Sequence, residues 1–193
     1  VALKNGTMGW HLAGYALDHG KSRLAPEVSA QGVEQSKAFV ERVKNRFSVP
    51  SIDMAQLQRF REQSLERSLF LLDVRSEDEF EAGHLPGSKS SPGGQLVQAT
   101  DEYVGVRNAQ LVLVDDTEVR STMTASWLIQ MGWPEVYVLA GGIPKEGLET
   151  GSVSSPVLGL DALSVVEVTA SSLQDMLADE TVTVLDLADS LTF

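Results

Sequence analysis

The sequence predicts an α/β fold in which a mostly parallel β-sheet lies between layers of helices. Two observations support this prediction. Strand-like apolar segments alternate with helical segments between residues 51 and 143. The chain has 193 residues, of which 42% are hydrophobic, so it can bury one good core and part of a second.

The first 50 residues are expected to hold one long helix. A Gly-rich opening at 1–20 leads into a loose stretch, and apolar residues then recur among polar ones over 31–47. Pro50 follows this segment, and the residue before a proline disfavours the helical conformation. The helix is therefore expected to end just before residue 50.

The middle of the chain carries the alternation. The pattern predicts, in order, a helix, a strand, a second strand after a loop, a second helix and a third strand. The corresponding sequences are QLQRFREQS, SLFLLDV, QLVLVD, STMTASWLIQMG and VYVLAG. A regular alternation of strands and helices favours parallel strands, because each helix serves as the crossover between two of them.

Two pairs of segments indicate internal repetition. Residues 70–80, FLLDVRSEDEF, align with residues 183–193, TVLDLADSLTF. More weakly, YVLAGG at 137–142 aligns with VALKNG at 1–6, in each case a strand-like segment that enters a Gly turn. Because both matches occur in the order expected for a repeat, repetition explains them better than chance.

This repetition predicts four parts. Residues 1–20 are expected to end one repeat, residues 21–50 to form a linker and helix, and residues 51–150 to form a complete unit. Residues 151–193 begin with a small-residue linker and continue with the strand-like VVEVT, a helical SLQDMLAD and the strand-like VTVLDL, the expected start of a third unit. The end segments cannot bury their apolar residues alone, so we expect them to pack on a neighbour.

Composition excludes several classes of function. A net charge of −12 argues against nucleic acid or an anionic membrane as a partner. No apolar run approaches the roughly 20 residues that span a bilayer. The chain has no cysteine and three distant histidines, so we expect neither a metal site nor a cofactor. We expect a cytoplasmic location.

The segment VLVDDTEVRSTMTASWLIQMG, residues 112–132, is the candidate site. It predicts a strand, a short polar loop and a helix that begins near Arg120. Such a strand end and helix start commonly bind anions in α/β proteins. The loop itself carries Asp115, Asp116 and Glu118, which oppose an external anion.

Two segments together resemble the rhodanese-like domain family. LLDVRSEDEFEAGHLPGS at 71–88 is similar to that family's opening motif. LVLVDDTEVRSTMTASWLIQMGWPEVYVLAGG at 111–142 is similar to its active-loop strand, its helix and its closing strand with a Gly pair. The resemblance implies a mostly parallel five-stranded sheet flanked by helices. The opening, VALKNGTMGWHLAG, resembles the family's domain ending and implies a tandem parent protein, although the central copy lacks the tryptophan of that ending.

The resemblance also implies sulfur transfer and shows where this chain departs from it. Rhodaneses hold a cysteine at the first position of a six-residue loop, where it carries sulfur as a persulfide from thiosulfate or a similar donor. Arg120 and Ser121 match the end of that loop, which places Asp115 at the nucleophile position. A carboxylate cannot form a persulfide, so the resemblance implies no catalytic residue in this copy.

The matching residues of the two motifs form the candidate site. We expect the Asp115 carboxylate to accept backbone N–H groups between Thr117 and Ser121, and Arg120 to face an acid. Asp73 is expected to bind the backbone or Arg75, and Glu79 and His84 to fix the turn that follows. The candidate loop residues are Asp115, Asp116, Thr117, Glu118, Val119, Arg120 and Ser121.

Two other functions remain open. The chain can be a non-enzymatic module that binds a small anion or a protein, with other repeats of its parent protein or a second copy of the chain as partners. Val114-Asp115-Asp116-Thr117 is also similar to the nucleotide-binding segment of phosphoribosyltransferases. That resemblance is weaker, because residues 120–123 lack the glycine that lets the backbone approach a phosphate.

Overall fold

The computed structural model describes residues 3–19, 26, 28–153, 159, 163–178 and 182–185. The chain divides into two compact units, Val1–Val153 and Ser154–Phe193. No helix within the described ranges is long and apolar enough to cross a membrane.

The first unit contains a five-stranded sheet in which every pair of neighbouring strands is parallel. The strand order is β1-β5-β4-β2-β3. The strands are β1 (Ser51–Ile52), β2 (Leu69–Asp73), β3 (Lys89–Ser90), β4 (Gln110–Val114) and β5 (Val136–Leu139). The predicted α/β class is confirmed, and the sheet is wholly rather than mostly parallel.

Helices connect and cover these strands. In the first unit they are α1 (Gly6–Leu12), α2 (Ala30–Phe47), α3 (Met54–Glu62), α4 (Glu77–Ala82), α5 (Gly93–Gln98), α6 (Thr100–Tyr103) and α7 (Val119–Gln130). The long helix α2 begins with the Ser29 side chain accepting the Gly32 N–H, and it packs against α7. Its buried residue is Val40.

Strand β4 lies at the centre of the sheet and is buried on both faces. Successive side chains of a strand point to opposite faces, so Leu111 and Leu113 join one hydrophobic cluster while Val112 and Val114 join another. The first cluster includes Leu128 of α7, and the second includes Leu57 of α3. The loop after β4 therefore starts from a rigid base.

The structure differs from several predictions made from the sequence. It adds two short strands, β1 and β3, and helices α1, α4, α5 and α6. The opening was predicted to begin with a strand, but residues 4 and 5 form a turn before α1, and residues 1–2 lie outside the described residues.

The described part of the second unit holds one helix, α8 (Ala170–Ala178), as predicted. The predicted strands VVEVT (165–169) and VTVLDL are absent where the structure describes them, at 165–169 and 182–185. A strand forms only when a neighbouring strand pairs with its backbone, and these segments pair with no strand among the residues that the structure describes. Residues 186–193, which carry part of the proposed repeat, lie outside the described residues.

Candidate functional site

The candidate site lies at the carboxyl ends of β2 and β4, which are neighbours in the sheet. Asp73 ends β2, and Asp115 directly follows β4. Parallel strands bring such end positions together, and ligands of α/β proteins bind at this edge. Both aspartates are buried.

The Asp115 carboxylate is surrounded by donors of its own loop. One oxygen, Oδ2, accepts the backbone N–H of Thr117 at 3.4 Å, the Thr117 hydroxyl at 3.1 Å and the backbone N–H of Arg120 at 3.2 Å. The other oxygen, Oδ1, accepts the Ser121 hydroxyl at 2.6 Å. The hydrogen bonds expected for this side chain are present, and they occupy both oxygens.

These contacts complete the start of α7. The residue before the helix, Glu118, adopts a left-handed conformation with φ 63° and makes no capping hydrogen bond with its side chain. The first N–H groups of a helix lack partners within the helix and carry partial positive charge. Asp115 accepts one of them, from Arg120, and so supplies the cap from outside the helix.

Arg120 is held by two acids. Its guanidinium donates to both oxygens of Glu79, at 2.7 and 2.9 Å, and to Asp116 at 2.9 Å. The Glu79 hydrogen bonds, with Asp116 in support, raise the pKa of Arg120, so its positive charge is fixed. An arginine engaged in this way has few donors left for an incoming anion.

Glu79 connects the two motifs. It accepts the Ser76 backbone N–H at 2.9 Å and hydroxyl at 2.8 Å, while the Ser76 hydroxyl caps the Glu79 N–H, which completes a capping box at the start of α4. The hydrogen bond from Arg120 is the main reason that the pKa of Glu79 falls from 4.5 to about 2. Glu79 therefore holds the loop rather than the turn that was predicted.

The third acid of the loop, Glu118, binds the turn after β5. It accepts the Gly141 N–H at 2.8 Å, and Lys44 of α2 lies 4.0 Å away. The topology, rather than a local pattern, brings Gly141 and Lys44 to the loop.

Gly142 permits the turn after β5 to approach the candidate loop, residues 115–121, closely. A Cβ atom at Gly142 would lie 2.7 Å from the Asp115 carbonyl oxygen, and the residue has φ +68°. The next residue, Ile143, donates its N–H to the same carbonyl at 3.0 Å. The glycine pair noted in the sequence thus supports the backbone at Asp115.

Asp73 binds the arginine of its own motif. Its carboxylate accepts the Arg75 guanidinium, with distances of 2.7 to 3.2 Å, and the Arg75 backbone N–H at 3.1 Å. Arg75 also donates to the Gly83 carbonyl at 2.6 Å. This pair ties the end of β2 to the turn after α4, which is the structural role expected for Asp73.

His84 is a buried part of that turn. Its ring stacks on Phe80 at 3.8 Å, and Nδ1 donates to the Phe80 carbonyl at 2.9 Å. The backbone of His84 forms a bridge with Glu149, whose carboxylate lies 3.9 Å from Nε2. The histidine thus joins the turn to the end of the first unit.

Charge at the loop is predominantly negative. The four carboxylates of Asp115, Asp116, Glu118 and Glu79 face two cations, Arg120 and Lys44, which leaves two negative charges. In the part of the chain that the structure describes, no three His, Cys, Asp or Glu side chains are grouped to hold a metal ion.

Comparisons with known proteins agree with this architecture. The family model of the Rhodanese-like domain matches residues 54–145. A solved structure of a thiosulfate sulfurtransferase from Pseudomonas aeruginosa is 43% identical and has a TM-score of 0.74, with 90% of this chain and 32% of that chain covered. Centrosomal protein of 41 kDa B from Xenopus laevis is 30% identical over 101 residues, or 46% of this chain and 28% of that protein.

YqhL from Bacillus subtilis is 39% identical over 82 residues, which cover 42% of this chain and 63% of that protein. In these three comparisons the match covers less than two thirds of the relative's length. The phosphoribosyltransferase resemblance finds no support, since residues 120–123 lie inside the first turns of α7. The all-parallel five-stranded sheet, the two motifs and the family match agree that residues 54–145 form a rhodanese-like domain.

Proposed function

We propose that this chain is a catalytically silent rhodanese-like repeat of a larger, multi-domain sulfurtransferase, in which it has a structural or regulatory role. The observation that carries the proposal is the Asp115 carboxylate, which binds the loop donors that would otherwise hold an anionic sulfur. The likeness to a thiosulfate sulfurtransferase about three times as long supports a multi-domain parent, because this chain covers 32% of it.

The chemistry of sulfur transfer supports a silent repeat. A persulfide forms when a thiolate attacks the sulfur donor, and the loop's N–H groups favour the anionic form of that thiol. The chain contains no cysteine. An aspartate carboxylate in the same place contains no sulfur atom, so it cannot form a persulfide.

The arrangement also argues against the alternative of an anion-binding loop. An incoming anion would have to displace Asp115 from its donors, and Arg120 is engaged by Glu79 and Asp116. Other repeats of the parent protein, or a second copy of this chain, are the partners that we propose. A cytoplasmic location is part of the same proposal.

A sulfur-transfer assay tests the proposal. We expect the purified chain to form no thiocyanate from thiosulfate and cyanide above the buffer background, while a cysteine-containing rhodanese assayed in parallel turns over. Turnover that stays with the purified chain through a second chromatography step would contradict the assignment.

A further inference from the structure

Residues 147–151 form a strap that fastens the end of the first unit to the turn after α4. His84 and Glu149 exchange two backbone hydrogen bonds of 2.9 Å each, and the Gly151 N–H donates to the Glu81 carbonyl at 2.8 Å. The first unit ends shortly after these residues. The strap therefore fixes the point from which the chain leaves the first unit.

The ring of His84 contains a nitrogen without a hydrogen-bond partner. His84 is 1% exposed, and its Nε2 atom is buried without a partner among the described residues. Because a carbonyl oxygen only accepts, the contact of Nδ1 with the Phe80 carbonyl places a hydrogen on Nδ1. In the neutral ring Nε2 is then an acceptor, and the Glu149 carboxylate 3.9 Å away is an acceptor as well. Neutral His84 thus leaves Nε2 unpaired beside a negative charge.

Protonation of the ring satisfies this nitrogen. An imidazolium has a donor on each nitrogen, so Nδ1 keeps its bond to Phe80 while Nε2 donates toward Glu149. The Glu149 side chain is 58% exposed, which leaves it room to move closer than 3.9 Å. Burial alone disfavours a charged ring, and an adjacent carboxylate offsets that cost.

Glu149 is the acid that faces the ring. Of the acids that the structure describes, only Glu149 has a carboxylate oxygen within 4.0 Å of a ring nitrogen of His84. The other charged groups around the turn have other partners, which are Arg120 for Glu79, Asp73 for Arg75 and the Pro86 carbonyl for Arg61. The remaining acids of α4, all exposed, are Glu77, Asp78 and Glu81. One carboxylate therefore dominates the charge balance at Nε2.

We propose that His84 and Glu149 form a pH-sensitive clasp, which holds residues 147–151 more firmly when His84 is protonated. Histidine is the side chain whose charge ordinarily changes between pH 5 and 8. The charged pair exists only while the strap is docked, so docking and proton uptake favour each other. Docking is therefore strengthened as pH falls through the titration of His84 and weakened as pH rises. The clasp does not depend on sulfur chemistry or on a silent loop.

Hydrogen exchange of the whole ¹⁵N-labelled chain, followed by NMR at pH 7.5 and pH 5.5, tests the clasp. We expect the protection factors of the Glu149 and Gly151 amides to rise about fivefold or more at the lower pH, relative to that of the Leu111 amide in β4. The ring resonances of His84 should report protonation over the same range. Constant or falling relative protection, or a His84 ring that stays neutral at pH 5.5, overturns the proposal.

Glu149→Gln tests the partner of His84. It removes the charge of an exposed side chain and keeps its size, so the fold should be retained. We expect the rise in protection at pH 5.5 to disappear, because the glutamine amide carries no charge and can donate to the neutral ring. Glu146→Gln is the matched control and should retain the full rise, since Glu146 is exposed and lies more than 4.0 Å from the ring nitrogens. A full rise in Glu149→Gln, or its loss in Glu146→Gln, overturns the assignment.

Discussion

Asp115 is a buried aspartate in the loop after β4, at the position that we propose corresponds to the cysteine of rhodaneses. The loop and the start of α7 present N–H groups and partial positive charge whichever side chain stands there. A carboxylate satisfies these groups, as its contacts with Thr117, Arg120 and Ser121 demonstrate. The loop therefore needs a hydrogen-bond acceptor at this position in order to satisfy its donors, whereas sulfur transfer would need a thiol.

Glu79→Gln tests the link between the two motifs. We expect it to lower the free energy of unfolding at pH 7 by about 1 kcal/mol, a value limited by solvent screening of the partly exposed pair. The pKa of Glu79 falls from 4.5 to about 2 on folding, so its contribution is present above pH 4.5 and is lost as pH falls toward 2. Urea unfolding at several pH values measures this loss.

Glu81→Gln is the control for this measurement, since Glu81 lies on the same helix and is exposed. The change in the free energy of unfolding in Glu81→Gln should be small. A Glu79→Gln deficit that stays constant between pH 7 and pH 3 would show that the ion pair with Arg120 does not stabilise the fold.

Gly142→Ala tests the contact between the closing turn and the loop. Both glycines of the pair have positive φ, but only at Gly142 would a Cβ atom meet backbone, at 2.7 Å from the Asp115 carbonyl oxygen. We expect Gly141→Ala to cost about 1 kcal/mol from strain alone and Gly142→Ala about 2–3 kcal/mol. Equal losses in thermal or urea unfolding would refute the close approach.

Helix α2 contacts the candidate site although it lies outside the matched domain. It precedes the matched domain, packs against α7 and places Lys44 near Glu118 of the loop. Val40 is its buried contact, whereas Phe39 beside it is 51% exposed. A helix attached in this way can be loosened by one substitution while the sheet stays intact.

Val40→Ala should therefore loosen α2 selectively. Loss of two buried methyl groups costs about 1–2 kcal/mol, and we expect faster hydrogen exchange at the amides of α2 and little change in β4. Phe39→Ala is the matched control and should leave the exchange rates unaltered. If both variants behave alike, α2 is not held by its buried face.

The sequence predicted the long elements and missed the short ones for a physical reason. Strand β4 and helix α7 have strong apolar patterns, and their predicted positions agree with the structure to within two residues. Strands β1 and β3 have only two residues each, too few to show a period, and exist because β5 and β2 pair with them. The described parts of the predicted strands in the second unit are the reverse case, since they have a strand-like composition but pair with no strand in the described ranges.

The contacts of the candidate site were likewise predictable from the sequence only in part. Contacts local in sequence, such as Asp73 with Arg75 and Asp115 with Thr117, follow from the motifs. The pairing of Arg120 with Glu79 did not follow from the motifs, because Glu79 lies 41 residues earlier and meets Arg120 only when β2 and β4 pair. A local pattern identifies the acids of the loop, and only the topology shows that each is already engaged.

At the scale of the whole molecule, the sheet gives the loop its rigidity. Strand β4 is buried on both faces and pairs with β2 and β5, so the backbone that enters the loop is fixed on either side. Because Asp115 binds the donors of this loop, we expect loss of its contacts to destabilise the first unit, and an anion bound in its place to restore part of that stability.

The central claim is that Asp115 takes the place of an external anion, and thermal unfolding with added thiosulfate tests it most directly. We expect Asp115→Ala to lose about 2–3 kcal/mol, since it leaves buried donors unpaired, and to regain part of this with millimolar thiosulfate. The wild-type chain and Asp53→Ala, which lacks the capping carboxylate of α3, should show only the small general effect of the salt. Equal stabilisation of wild type and Asp115→Ala by thiosulfate would contradict the account, because it would mean that the native loop still has room for an anion.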